Sequence, residues 1–193
     1  MSNSSTGFGF RQVGRADGVT PSFGLRQYPI LYSNTTSIGR GDPVILSTDG
    51  YIYAATAGDS PILGIFDGCT YTDPNQTSPS VNSNGWLYSS TAVSGSVYGF
   101  VIDDPNASFW ARVSSGPLTF ADVGTNVTFV AGTVSSNGRS TALINATVST
   151  TNTYPFRVVS VTSAPINNDS SSTYNIVEVK GNTWLYSYTT GTV

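Results

Sequence analysis

Residues 37–73 read Ser-Ile-Gly-Arg-Gly-Asp-Pro-Val-Ile-Leu-Ser-Thr-Asp-Gly-Tyr-Ile-Tyr-Ala-Ala-Thr-Ala-Gly-Asp-Ser-Pro-Ile-Leu-Gly-Ile-Phe-Asp-Gly-Cys-Thr-Tyr-Thr-Asp. Three short apolar runs stand in this stretch, each followed by a turn pair. Residues 44–46 lead to Asp49-Gly50, residues 51–55 to Gly58-Asp59, and residues 61–66 to Asp67-Gly68. Asp-Gly supplies the positive-φ backbone of tight hairpin turns, so the pattern predicts a β-meander.

Beyond this block the chain continues in the same manner. Residues 86–88, 97–102, 108–113, 126–131, 142–148, 156–162, 174–180 and 183–188 read as strands, set off by turn signals at Asp103-Asp-Pro-Asn106, Asn137-Gly138 and Gly181-Asn182. Along 108–113, Phe109, Ala111 and Val113 alternate with Trp110 and Arg112, the period of two of a half-buried strand. Residues 72–84, with Pro74 and Pro79, read as a polar loop, and only residues 121–123 suggest a helical turn. About ten to twelve short strands at roughly 8–12-residue spacing predict an all-β domain, a sandwich or barrel of antiparallel strands.

Composition agrees. Only 10% of the 193 residues are charged, against about 25% in typical globular chains. Thr, Val, Tyr, Phe and Trp suit a pleated sheet, while Ser, Asn and Gly suit its turns. The length fits one domain, which at this size buries roughly 70% of its unfolded surface.

The available chemistry is narrow. Histidine is absent, and Glu178, Lys180 and Cys69 are each the sole residue of their type. Without an imidazole, Ser-His-Asp catalysis and most zinc sites are excluded. Cys69 has no base to make it a thiolate and reads as a small buried residue. Asp49, Asp59, Asp67 and Asp73 fall at hairpin ends and could share a rim, but each has a turn-forming reason to be there and no EF-hand spacing occurs. Asp103-Asp104 reads as a turn before Pro105 rather than a glycosidase pair. Arg40-Gly41-Asp42 matches an integrin tripeptide, yet Pro43 carries it straight into a strand. The expectation is a protein that is not an enzyme and that takes neither cofactor nor metal.

Residues 1–36 differ from the rest. Gly7, Gly9, Gly14, Gly18 and Gly24 interrupt Phe8, Phe10, Phe23 and Tyr28, and Pro21 and Pro29 block regular pairing. Residues 1–41 hold Arg11, Arg15, Arg26 and Arg40 against Asp17, a balance of +3 that leaves −6 for residues 42–193 within the net −3. An extended basic N-terminal arm of residues 1–36 on an acidic body of residues 37–193 follows as the expected organisation, the arm docking elsewhere. Net negative charge argues against sequence-independent nucleic-acid binding. No run reaches the ~18 apolar residues of a membrane span. Met1-Ser-Asn-Ser-Ser-Thr has neither the basic start nor the apolar run of a signal peptide, so synthesis in a cytoplasm is expected.

Gly41-Asp-Pro-Val44, Asp49-Gly50, Ala55-Thr-Ala-Gly-Asp59 and Gly64-Ile-Phe-Asp-Gly-Cys69 also stand in the order found in tailed-bacteriophage head proteins. The chain resembles the capsid decoration proteins, also called cement or head-stabilising proteins. Val101-Ile-Asp-Asp-Pro105, Phe109, Asp122-Val-Gly124, Gly138-Arg-Ser140 and Phe156-Arg-Val158 echo that family, whereas residues 175–184 depart from it. The resemblance implies a structural virion protein on the outer capsid surface, made in the host cytoplasm. It would bind the major capsid protein and itself as a homo-oligomer, with a trimer favoured. Phe8, Phe10, Arg11, Arg15, Phe23, Arg26 and Tyr28 become the expected capsid-binding residues, since aromatics and arginine dominate interfaces. The alternative is a receptor-binding or fibre-like β protein whose aromatic loops recognise a carbohydrate.

Overall fold

A computed structural model of the protein describes residues 3–20, 24–161 and 168–187. Within them twelve strands follow in chain order. They are β1 (Arg11–Arg15), β2 (Arg26–Pro29), β3 (Pro43–Leu46), β4 (Ile52–Ala54), β5 (Gly64–Thr72), β6 (Ser80–Ser83), β7 (Tyr98–Ile102), β8 (Ala107–Arg112), β9 (Asn126–Val130), β10 (Leu143–Ser149), β11 (Phe156–Val161) and β12 (Ile176–Gly181). One antiparallel sheet has the order β1-β8-β12-β11-β9-β10. The other has the order β2-β7-β5-β3-β4, with β6 also on β5. The sheets do not close into a barrel, and the architecture is a β-sandwich.

The two sheets read differently because they are buried differently. In the first, Phe109, Ala111, Val177, Val179, Phe156 and Val158 point into the space between the sheets. Trp110, Arg112, Glu178 and Lys180 alternate with them, so one face is apolar and the other polar. The second sheet is buried on both faces. Ile62, Ile65 and Ile102 pack toward the first sheet. Leu63, Phe66, Val101, Val44 and Cys69 pack into a second cluster with Ile30, Ile38, Trp86, Ala92 and Val97, contributed by segments outside the strands. A sheet covered on both sides needs consecutive apolar residues, which is why Ile62-Leu63 and Val101-Ile102 are unbroken pairs.

Residues 43–72 depart from a simple meander in two respects. The Asp49-Gly50 turn does join β3 to β4, with Val44 opposite Ala54 and Leu46 opposite Ile52. However, β5 pairs with the other side of β3, Pro43 lying opposite Ile65, so β3 sits between the strands that follow it. Asp67-Gly68 is not a turn either. It is a bulge inside β5, where the register to β7 shifts between Phe66 and Gly68.

Other expectations also shift. The polar loop of residues 72–84 contains β6, Tyr71 facing Val81. Trp86 makes only a single bridge, to Ile38. Trp184 bridges Ile62, and Leu185–Ser187 is a 3-10 turn instead of a final hairpin strand. The expected helical turn is a 3-10 turn at Phe120–Asp122, capped by Thr119.

The largest correction concerns residues 1–36, expected as an arm. Strand β1 pairs with β8, Arg11 opposite Trp110, and β2 pairs with β7, Arg26 opposite Val101. The segment supplies one edge strand to each sheet. Its irregular sequence suits that position, because edges tolerate proline, glycine and a bulge, here at Val13.

Candidate functional site

Glycines place the N-terminal segment. A Cβ on Gly7 would stand 2.0 Å from the Thr141 carbonyl oxygen, so no other residue could lie this close to the backbone of residues 141–142. Further along, the Phe10 N–H donates to the Gly41 carbonyl at 2.9 Å. The Arg40 N–H donates to the Gly138 carbonyl at 2.8 Å, and the Ser140 N–H to the Arg40 carbonyl at 3.1 Å. Gly138 in turn meets the backbone of Gly85. Residues 7–10, 38–42, 84–86 and 138–142 therefore cross at backbone contact. Asp42 is sealed into this crossing at 6% exposure, accepting hydrogen bonds from the Gly39 N–H at 2.7 Å and from the Ser140 hydroxyl. Burial raises its pKa, and these two bonds work in the opposite direction. Within the Arg-Gly-Asp tripeptide the Asp42 carboxylate is thus turned inward, while Arg40 stays exposed.

Beside the crossing a cleft of about 490 Å³ opens, with Phe8, Arg11, Leu25, Arg40, Ile102 and Arg139 in its walls. That volume falls within the range of ligand sites. It lies where the sheets part, since Arg11 belongs to edge strand β1 and Leu25 immediately precedes edge strand β2. The Arg11 guanidinium stacks over the Phe8 ring at 4.9 Å, and Arg112 does so at 5.6 Å. A parallel bridge aligns Arg40 with Arg139. Arg40 is neutralised by Asp67, its Nε donating at 2.8 Å. Among the described residues Arg11 and Arg139 have no ion pair, and Asp67 is the one carboxylate in the cleft wall.

The residues expected to reach a partner separate into distinct groups. Phe10 is 3% exposed and stacks on Phe156 at 4.6 Å, so it is a core residue. Arg15 pairs with Asp104 and Asp17. This pairing holds the exposed Asp17 carboxyl down at about 2. Arg26 pairs with Asp103 at 3.3 Å, and the Tyr28 hydroxyl donates to the same carboxylate at 2.7 Å. Asp103 and Asp104 therefore clamp β1 and β2 to the body, and the basic segment docks on its own acidic turn. Of the expected set Phe8, Phe10 and Arg11 line the cleft, Phe10 as part of its buried floor. Phe23 lies outside the described residues.

Arg40, Arg139 and Leu25 were not legible as site residues. The available signal was an arginine beside glycine, in Gly39-Arg-Gly41 and Gly138-Arg139, within a chain that has few charges. Three of the four expected hairpin aspartates serve turns: Asp49 accepts from the Tyr51 N–H, Asp59 from the Thr56 N–H, and Asp73 from the Asn75 N–H, whereas Asp67 pairs with Arg40. Among the described residues no three acidic or sulfur ligands gather as a metal site. Cys69 is buried, which pushes its thiol up to about 12 and keeps it a neutral packing group.

No protein-family model matches the chain, and no curated protein or solved structure matches it either.

Proposed function

We propose that the protein is a structural virion protein that decorates the outer face of a bacteriophage head by binding the major capsid protein. The observation that carries this reading is the cleft. Three guanidiniums, two aromatic rings and two aliphatic side chains are groups that recognise a partner, and the one carboxylate of the wall, Asp67, is taken up in the ion pair with Arg40. The resemblance of residues 41–69 to decoration proteins supplies the kind of partner. Self-association accompanies the proposal, closed symmetry being the usual arrangement of homo-oligomers, and the resemblance to decoration proteins is what favours a trimer. Phe120, 75% exposed at the tip of its 3-10 turn, is a candidate contact for it.

The test is to express a tagged copy during infection, purify particles and label them for electron microscopy. Label over the outer surface of heads is the expected result. Label at the tail tip would shift the assignment to the receptor-binding alternative, and unlabelled particles would remove the virion reading. Light scattering on the isolated protein checks the trimer separately.

A further inference from the structure

We propose that the cleft is a carboxylate-reading site, in which Arg11 and Arg139 grip an extended acidic segment of the partner lying against the free edge of β1. The inference rests on the reading of the protein as one that binds a capsid protein, and it names the chemistry of the segment bound.

Four observations lead to it. First, the cleft wall carries three guanidiniums against the single carboxylate of Asp67, in a chain that is otherwise acidic. Second, the bridge aligning Arg40 with Arg139 places like charges beside each other. Asp67 answers the charge of Arg40 and leaves that of Arg139 for an anion from outside the chain. Third, Arg11 and Arg139 lack ion pairs among the described residues, whereas Arg15, Arg26 and Arg40 all have them. A guanidinium presents a planar fork that fits a carboxylate in two parallel bonds. Fourth, β1 is the last strand of its sheet. Its outer side offers the backbone groups that an added peptide strand would use.

The same observations favour a peptide over other anions. Neither nucleic acid nor a glycan has the backbone amides and carbonyls that extend a sheet. Phe8, Leu25 and Ile102 give apolar contacts for side chains that alternate with the acidic ones.

The experiment measures fluorescence polarisation of a short labelled peptide alternating Asp with Val, and of its counterpart with Asn for Asp. The full chain should bind the acidic peptide at least about tenfold more tightly, the value of one charge-assisted bond. Arg11→Ala and Arg139→Ala should each weaken binding about tenfold while circular dichroism stays unchanged. Arg139→Lys should recover only part of the loss, because the charge remains and the fork does not. Arg157→Ala, on a strand three places from β1, serves as the control that leaves binding intact. Equal affinity for both peptides, or binding indifferent to Arg11 and Arg139, would overturn the proposal. So would tighter binding of an oligothymidylate, or displacement of the peptide by an equal concentration of inorganic phosphate. Wild-type protein that coats heads but ignores the peptide refutes this inference alone. Peptide binding by a protein that never coats heads refutes the capsid reading alone.

Discussion

The hairpin of β3 and β4 and the crossing beneath the cleft both depend on glycine, for opposite reasons. Gly50 takes φ of +83°, and nothing lies within 4 Å of where its Cβ would stand. Its role is conformational. Gly7 needs no unusual φ, but its Cβ would collide with the Thr141 carbonyl. The first need is local and is written beside it, in Asp49. The second is imposed by a segment far along the chain. Two identical residues thus carry different amounts of information about the fold, depending on whether the constraint is internal or comes from elsewhere.

The comparison breaks first at Gly7. Gly7→Ala should cost about 3 kcal/mol, the upper part of the usual overpacking range, because backbone rather than a flexible side chain must yield. Urea unfolding would measure it. A loss no larger than that of a hairpin glycine would mean that the crossing is soft.

Asp42 tests the same region by a polar route. Asp42→Ala leaves the Gly39 N–H and the Ser140 hydroxyl without their acceptor, and should cost about 2–3 kcal/mol. Asp42→Asn keeps an oxygen for Gly39 and should cost less. Its pH dependence has a definite sign. The folded pKa of Asp42 lies above the unfolded one, so its contribution is complete below the unfolded value and shrinks as pH rises through the folded value. From about pH 4 upward the wild type should therefore lose stability relative to Asp42→Asn. Urea midpoints at several pH values would check this, and a difference that grew in favour of the wild type would contradict it.

Gly50→Ala sharpens the other side of the comparison. Its penalty should be about 1 kcal/mol, the cost of a Cβ in left-handed backbone, and Gly50→Asn should be milder. The smallest effects distinguish the arginines of the N-terminal segment. Arg15→Ala should lose no more than about 1 kcal/mol with its partly exposed ion pairs. Arg11→Ala should change stability by no more than about 0.5 kcal/mol. Thermal unfolding of the two variants side by side would show whether Arg11 is free for a partner.

Much of the sandwich was legible because its rules are local. Alternation along residues 108–113 and the Asp49-Gly50 turn fix strands and a hairpin with no knowledge of the rest. Pairing order was not legible. That β5 joins the far side of β3, and that Asp67-Gly68 is a bulge, depends on which strand arrives beside it. Strands β1, β2 and β6 were hidden because an edge position accepts the glycine, proline and polar residues that otherwise mark loops. Site residues were harder still. Aromatic and basic composition located the N-terminal segment, but composition is silent on whether Arg15 meets its own Asp104 or a neighbour's carboxylate. Arg139 enters the cleft only because Ser140 pairs its backbone with Arg40.

The position of β12 has a consequence in time. This strand lies between β8 and β11, and it follows all the other described strands in the order of synthesis. Until residues 176–181 leave the ribosome, the two halves of the first sheet, the β1-β8 pair and the β11-β9-β10 trio, lack the strand between them, and among the described residues the backbone link across the gap is the bridge of Val113 to Ile144. Nascent chains stalled before residue 176 should accordingly be digested by protease across both halves, and the release of β12 should protect them together. Pairings this distant in sequence close slowly. The protein would thus complete its sheet only after most of the chain has been made, and β1, among the first segments synthesised, would wait for its place on an assembled edge.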